Sequence, residues 1–494
     1  MTHHLQRRRA LAAALALSAW LPRGAHATPG VDEPPAAQPP RPLQLPAISQ
    51  QQLDNGLVVL VAPRPGLPLV SLALALRAGP EADPGGRTGT AEMLATLWPK
   101  GALRGGRPVG ATDLARQAEA LGSALDARST WGLGTLAMTV TSTHAEAALA
   151  LMADVLRRPL LAADELDRAR TQALDNLRLA LGSPGEVATQ LLRRSFWGDV
   201  PHGRVPTAAA LQRLELADLR AFQATWVRPD RVALVLAGDI TPEAGLALAR
   251  RLLGDWRAPG TPAPALALLP PKPLASPLVL LDMPGAGQTS VAVAAPFVPQ
   301  DAADRRVGLV AHAVLAGGYS ARLNQVVRIQ RGLSYGVSGG AEALAPGGMA
   351  VAQAQTAHAN AAQVLQLLRG ETTRLADVPP SPDELSARVA NLVGGFTRRL
   401  ETTAGLSAVL VGQWAAGRPL TDLAAHVPQL LAVTPAQVQA FARQHWVDGA
   451  LRAVVVGDLS ATGDALAAMA GPPGALRLRM AELDLELPGL RKPG

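Results

Sequence analysis

Two side chains with complementary chemistry lie four residues apart in the segment 317–340, which reads GGYSARLNQVVRIQRGLSYGVSGG. Arg331 ends a basic stretch that is predicted to be helical from about residue 322, Gly332 breaks it, and a strand beginning at residue 333 carries Tyr335. This order predicts that both side chains lean over one side of a sheet edge. They would offer a fixed cation and a phenol to the backbone of a bound ligand.

The same segment contains a second candidate, because residues 336–340 read G-x-S-x-G around Ser338. In serine hydrolases that motif needs a strand before the serine and a helix directly after it. Here the glycine pair that follows the serine and the Pro-Gly-Gly at 346–348 predict a strand and a loop. A hydrolase that works alone is therefore an alternative that requires either Ser338 or a metal site assembled from distant residues.

The segment as a whole resembles the C-terminal half of pitrilysin/insulinase-type peptidases, the family that includes the mitochondrial processing peptidase. The resemblance implies that Arg331 and Tyr335 hold the substrate and that Gly317 and Gly318 form the turn before them. The acidic residue that the family has just before R-G-L is absent here. The matching positions are Gly317, Gly318, Ser320, Arg322, Leu323, Arg331, Gly332, Leu333 and Tyr335. The alternative is a surface helix with solvated arginines.

The first half of the chain is similar to the same family in its opening strand, L-D-N-G-L-V-V-L-V at 53–61. Catalytic members carry H-x-x-E-H on a later helix, where two imidazoles bind zinc and the glutamate serves as base. Glu92, Ala95 and Thr96 stand at those three positions, and the distal glutamate ligand falls at Asp175 or Asn176. The resemblance therefore implies a degenerate metal site.

The remaining metal-binding side chains do not suggest another zinc site. No cysteine is present, and no two histidines beyond the first 27 residues have the spacing of helical metal ligands. His202 lies in a Pro-His-Gly-Arg sequence that resembles a loop of the family, so we expect a loop residue rather than a ligand. We expect the chain to bind no cofactor itself, with zinc on a partner subunit.

An internal repeat predicts a duplicated fold. Residues 222–239 and 441–458 each contain a helix end, a Trp-Val pair, an apolar strand and Gly-Asp. The alternation of strands and helices predicts an α+β protein with two homologous α/β sandwich domains that enclose a cleft. The expected segments are a signal peptide at 1–27, a Pro/Ala-rich linker at 28–46, an N-terminal domain at 47–260, a linker at 261–277, a C-terminal domain at 278–475 and a tail at 476–494.

The amino terminus and the charge restrict the location and the partners. Three arginines, a short apolar run and Ala-His-Ala at 25–27 indicate a cleavable signal peptide, so we expect a periplasmic or secreted protein without a permanent membrane anchor. The export route, general or twin-arginine, is left open. The signal carries four arginines and no acid, and its removal lowers the formal net charge from +7 to +3. This balance gives little support to nucleic-acid binding.

These observations predict a non-catalytic, substrate-binding subunit of an exported heterodimeric zinc peptidase. The resemblance implies a homologous partner with an intact H-x-x-E-H, and a peptide substrate bound by strand addition. The alternative is an inert scaffold or peptide-binding protein of the same fold. The retained arginine and tyrosine favour the first hypothesis, because a scaffold has no evident need for them.

Overall fold

Two six-stranded mixed sheets form the framework of the protein, which a computed structural model describes over residues 43–492. The predicted signal peptide and most of the linker after it lie outside the described residues. In spatial order, the first sheet contains β1 (Ser49–Gln52), β2 (Val58–Pro63), β8 (Val232–Gly238), β3 (Leu69–Leu76), β7 (Leu133–Thr141) and β6 (Asp126–Thr130). The second contains β11 (Ser334–Leu344), β12 (Gly347–Thr356), β10 (Thr289–Phe297), β13 (Arg452–Gly457), β9 (Leu278–Asp282) and β14 (Leu476–Arg479).

The strand pairing confirms the duplication. In the first sheet β2 runs parallel to β8, and β8, β3, β7 and β6 follow as antiparallel neighbours. In the second sheet β9 runs parallel to β13, and β13, β10, β12 and β11 follow in the same way. The repeat found in the sequence falls on β8 and β13, the central strands of the two sheets. The predicted α+β class with two homologous halves is therefore confirmed.

Helices cover the sheets in a matching order. The first half contains α1 (Thr90–Leu97), α2 (Ala111–Ala120), α3 (Ala145–Arg157), α4 (Ala163–Leu181), α5 (Pro184–Trp197), α6 (Ala208–Arg213), α7 (Leu216–Trp226) and α8 (Pro242–Leu253), with a small hairpin of β4 (Gly101–Arg104) and β5 (Arg107–Gly110). The second half contains α9 (Arg305–Ala316), α10 (Arg322–Asn324), α11 (Ala361–Arg374), α12 (Pro382–Leu400), α13 (Thr403–Ala415), α14 (Leu420–Leu431), α15 (Pro435–His445) and α16 (Gly463–Ala467).

The two halves exchange one helix each. Leu191 and Leu192 of α5, which belongs to the first half, pack in one apolar cluster with Val279 and Val454 of the second sheet. Leu406, Leu410, Val411 and Trp414 of α13, which belongs to the second half, lie in the cluster that contains Leu60, Ala73 and Val235 of the first sheet. Both faces of each sheet are thus buried, which explains why β8 and β13 are apolar almost throughout.

The segments between and after the two halves differ in structure. Residues 257–277 contain no helix or strand. The predicted tail at 476–494 instead begins with β14, which extends the second sheet beside β9. Within residues 43–492, no helix combines the length and the apolar character needed to cross a membrane.

Candidate functional site

An exposed arginine–tyrosine stack stands at the edge of the second sheet. The guanidinium of Arg328 lies 4.8 Å from the ring centre of Tyr319 and 4.5 Å from that of Tyr335. Tyr335 is 88% exposed and Tyr319 is 62% exposed, so both phenols reach solvent. Cation–π contacts of this kind are worth about 0.5–1 kcal/mol each at exposed sites. The stack therefore holds a cation and two phenols in a defined arrangement.

Buried Asn324 fixes the backbone around this stack. Its Oδ1 accepts the backbone N–H of Val337 at 2.9 Å, and its Nδ2 donates to the carbonyls of Val337 and Gly318 at 3.1 and 3.0 Å. The pairing of β11 with β12 is irregular between Ser334 and Val337, so the asparagine replaces a regular strand contact at that irregularity. It thereby ties the loop before α10 to the segment that presents Tyr335.

The structure pairs Tyr335 with Arg328 and not with Arg331. The Arg331 side chain turns back, and its Nη1 donates to the carbonyl of Val326 at 3.1 Å. The side-chain contact of Tyr335 is therefore with Arg328, and the roles of Arg331 and Tyr335 in substrate binding stay predictions.

The two glycines predicted to form the turn, Gly317 and Gly318, have different surroundings in the structure. Gly318 has a φ of 130° and lines the cavity beside the stack. Gly317 ends α9, where an added Cβ would lie 2.4 Å from the Cα of Ala313. The structure thus gives Gly317 a packing role and places only Gly318 at the candidate site.

The stack opens onto a cavity of about 730 Å³ between the two halves of the chain. The second half contributes Arg328, both tyrosines and polar side chains of β11 and β12, while α5 of the first half contributes Glu186 and Thr189. Gln353 joins the two sides, because its Nε2 donates to the carbonyl of Gly185 at 2.9 Å and its Oε1 accepts from Thr189 at 3.1 Å. A cavity of this size accommodates several residues of a peptide.

A second, smaller cavity of about 320 Å³ continues along β11. Apolar side chains of Leu192, Met349 and Val351 line it, together with Arg193 and Glu342, which form a salt bridge of 2.8 Å. Thr189 borders both cavities. Among the described residues β11 pairs with one strand, β12, so the two cavities flank a strand at the edge of the sheet.

Ser338 lies inside β11, which continues through Leu344 before a turn and β12. No helix follows the serine, so the geometry of a nucleophile elbow is not formed. The hydroxyl belongs to the lining of the larger cavity. The alternative in which Ser338 acts as a catalytic nucleophile is not supported.

The degenerate zinc positions border a groove of about 380 Å³ between α1 and α4. Glu92 and Thr96 line it from α1, and Asn176 lines it from α4. Ala95 is buried in the core at 2% exposure and does not reach the groove. Asp175 is exposed and pairs with Arg178 at 2.9 Å, so Asn176 and not Asp175 occupies the side of α4 that faces α1.

The groove does not provide the donors that zinc requires. Thr96 donates its hydroxyl to the carbonyl of Glu92 at 2.9 Å, and the amide oxygen of Asn176 accepts from Gln172 at 2.9 Å. These three family positions therefore supply a single carboxylate and no imidazole, whereas zinc sites need three or four N, S or carboxylate ligands. The other carboxylate in the groove, Glu165, pairs with Arg168 at 2.9 Å. Over residues 43–492, no group of three or more His, Asp or Glu side chains is arranged to hold a metal.

Buried Asp83 supports the helix that carries these positions. Its carboxylate accepts the backbone N–H groups of Gly89 and Ala91 at 2.7 and 2.8 Å, and so it caps α1, whose first flanking residue has no side chain. Burial raises the pKa of Asp83 to about 8 despite these two hydrogen bonds. A buried carboxylate thus holds the start of the helix on which the degenerate positions lie.

Comparison with known families gives two matches, and the second of them begins before β8, the last strand of the first sheet along the chain. The family described as "Insulinase (Peptidase family M16)" matches residues 58–205, and that described as "Peptidase M16 inactive domain" matches residues 213–392.

Individual relatives are distant. An uncharacterized zinc protease of Mycobacterium leprae is 24% identical over 293 residues, which span 59% of this chain and 66% of that protein. A non-peptidase homolog of Helicobacter pylori is 23% identical over 302 residues, which span 60% of this chain and 67% of that protein. The crystal structure of a peptidase M16 inactive domain from Pseudomonas fluorescens superposes with a TM-score of 0.75 at 24% identity, over 83% of this chain and 98% of that one.

Proposed function

Because the chain belongs to the insulinase family of M16 peptidases, with an N-terminal domain and a C-terminal domain of the inactive type, we propose that it is the substrate-binding, non-catalytic subunit of a zinc peptidase. Its partner would be a homologous chain with an intact H-x-x-E-H that holds the zinc. The substrate would be a peptide or small protein. The predicted signal peptide supports a location in the periplasm or outside the cell.

The observation that carries this proposal is the Tyr319–Arg328–Tyr335 stack at a cavity lined by both halves. The guanidinium of Arg328 contacts the two tyrosine rings and takes part in no salt bridge found within residues 43–492, so its charge would be available to a ligand. The guanidinium would bind a carbonyl or carboxylate of the peptide, and the phenol of Tyr335 would donate to a backbone carbonyl.

The edge strand would supply the remaining contacts. From Ser334 to Glu342, β11 runs past both cavities over about 27 Å, which is long enough to pair with eight or nine extended residues. Main-chain hydrogen bonds would hold the peptide with little regard to sequence, and the apolar second cavity would favour small hydrophobic side chains.

The test is hydrolysis of a fluorogenic peptide by this chain, by its H-x-x-E-H partner and by the mixture. We expect only the mixture to cleave rapidly. Replacing Arg328→Ala or Tyr335→Phe should lower kcat/KM by about tenfold or more, since each removes a charged or directed hydrogen bond. Arg331→Ala is the matched control and should stay within twofold of the unmodified chain.

The second candidate function is a peptide-binding or scaffold protein without a part in hydrolysis. It is favoured by the single carboxylate left at the degenerate zinc positions, and by cavities that need no metal to bind a peptide. If the partner cleaves equally well alone and the chains do not co-purify, the subunit proposal fails. Peptide binding by this chain alone that is lost in Arg328→Ala would then establish the second function.

A further inference from the structure

A separate group of arginines lies where α9 and α14 begin and α13 ends. Arg305 and Arg306 are the first two residues of α9, Arg418 follows α13, and Asp422 lies in the first turn of α14. Their side chains are 12%, 11%, 24% and 22% exposed, in that order. The group is therefore largely withdrawn from water but can still be reached from solvent. It shares no residue with the two cavities along β11.

The charges of this group do not balance. Asp422 bonds Arg306 through one carboxylate oxygen. Its other oxygen accepts a hydrogen bond of 3.4 Å from Nε2 of Gln413. The same oxygen lies 3.8 Å from Nη2 of Arg305 and 3.9 Å from Nε of Arg418, which is too far for a hydrogen bond to either guanidinium. The buried Nε of Arg418 has no hydrogen-bond partner among the described residues. Three guanidinium groups thus surround one carboxylate, with an excess of two positive charges.

The neighbouring groups increase this excess. Burial, with the nearby charges of Arg306 and Arg305, lowers the pKa of His426 to about 4, so this ring is neutral in the folded protein at pH 7. Arg399 acts on the same histidine with a further positive charge. Asp304, the residue before Arg305, lies 3.5 Å from Nε2 of His445.

The N-termini of two helices add positive potential to this group of arginines. Neither α9 nor α14 has a side-chain hydrogen bond at its N-cap, and each is 12 residues long. The N–H groups of Arg305 and Asp422 already donate to the carbonyls of Ala302 and Pro419, but the positive ends of both helix dipoles add to the field of the arginines. Repulsion among partly buried like charges is costly, and a bound anion would relieve it.

We propose that Arg305, Arg306 and Arg418, with the first turns of α9 and α14, form a binding site for a doubly charged oxyanion of the phosphate class. The excess of two charges matches a phosphate dianion better than a single carboxylate. Guanidinium groups present paired N–H donors that fit the oxygens of phosphate or of a phosphate monoester. Asp422 positions Arg306 and competes with the ligand for the other two arginines.

Calorimetric titration of the full chain with inorganic phosphate tests this site. We expect saturable binding of one phosphate per chain in the millimolar range or tighter, and clearly weaker binding of acetate at equal ionic strength. Arg305→Gln and Arg418→Gln should each weaken the affinity about tenfold or more. Arg116→Gln, which removes an exposed arginine paired with Asp113, is the matched control and should bind as the unmodified chain does.

A variant that should bind phosphate more tightly distinguishes a binding site from weaker binding caused by misfolding. Asp422→Asn removes the competing charge at nearly constant shape, so phosphate should bind this variant more tightly. Absence of saturable binding, equal binding by Arg116→Gln and Arg418→Gln variants, or weaker binding by Asp422→Asn would each overturn the proposal. A parallel titration with a phosphate monoester distinguishes the source: equal binding indicates a site open to phosphorylated molecules, and binding of phosphate alone indicates the free ion.

Discussion

At the scale of single residues, an irregular helical turn decides which arginine contacts Tyr335. Both Arg328 and Arg331 lie on the basic stretch, for which the sequence predicts a regular helix. The chain instead forms a π-helical turn at Gln325–Ile329, in which the N–H of Gln330 bonds the carbonyl of Gln325 five residues back. This wider turn changes which side chains share a face, so Arg328 reaches Tyr335 and Arg331 does not.

His202 shows what a residue pattern leaves undecided. The sequence predicted a loop residue, and the histidine does lie in a short turn, Pro201–Gly203. Its ring, however, is 2% exposed and stacks between Trp131 and Trp197 with centre distances of 5.1 and 5.0 Å. Nothing in the local sequence places two tryptophans from separate segments on its two faces.

Burial of this histidine predicts a loss of stability in acid. Burial and the nearby charge of Arg193 lower the pKa of His202 from 6.5 to about 4, so the unfolded chain takes up a proton at a higher pH than the folded one. Stability should therefore fall as the pH drops from 6.5 through 4, by about 3 kcal/mol from this residue. Urea unfolding at a series of pH values measures this loss, and His202→Phe should remove it while keeping the stack.

His426, whose pKa is likewise lowered to about 4, should give the His202→Phe variant a residual slope of the same sign. The quantity that tests the prediction is thus the difference in unfolding free energy between the unmodified chain and His202→Phe at each pH. Parallel profiles for the two proteins would contradict the prediction.

At the scale of elements, β11 is the strand on which the candidate site depends, and its adjacent glycines differ. A Cβ on Gly339 would lie 1.9 Å from the carbonyl oxygen of Val351 on β12, whereas a Cβ on Gly340 would meet no atom within 4 Å. The sequence shows only Gly-Gly. It does not indicate which of these two glycines lies against the neighbouring strand. Pairing register, which depends on the whole sheet, decides this.

This difference predicts opposite outcomes for two neighbouring substitutions. Gly339→Ala should lower the free energy of unfolding by about 2 kcal/mol or more, because β11 must move away from β12. It should also weaken peptide binding, since the strand carries Tyr335. Gly340→Ala should change stability by less than about 0.5 kcal/mol. Denaturant unfolding and peptide titration measure both effects, and equal destabilisation by the two variants would show that the register is different.

At the scale of the whole molecule, the sequence predicted the duplication but not the exchange of helices. The recurring Trp-Val and Gly-Asp pairs mark the central strand of each half, and the fold confirms them. The helix α5 carries apolar residues such as Val187 and Leu191 on one face, as any surface helix would. Such a pattern indicates that the face is buried but not against which sheet, so the exchange of helices could not be predicted from it.

The exchange predicts that the halves remain together without a covalent link. A site for a specific protease inserted between Leu268 and Leu269, which are 45% and 48% exposed, should be cut without loss of structure. The two fragments should elute as one species in size-exclusion chromatography and unfold in a single transition, because α5 and α13 each complete the core of the other half. Separation of the fragments under native conditions would contradict this.

The exchanged helix α13 also has a consequence for the order in which the chain is made. The first sheet is complete at Gly238, but the helix that covers its outer face begins only at Thr403, about 165 residues later. At a synthesis rate of roughly 5–20 residues per second, this delay is about 10 to 30 seconds. A nascent chain emerging from the ribosome would expose an apolar sheet during that time, so a chaperone that holds the chain unfolded until its last third is available would favour correct folding.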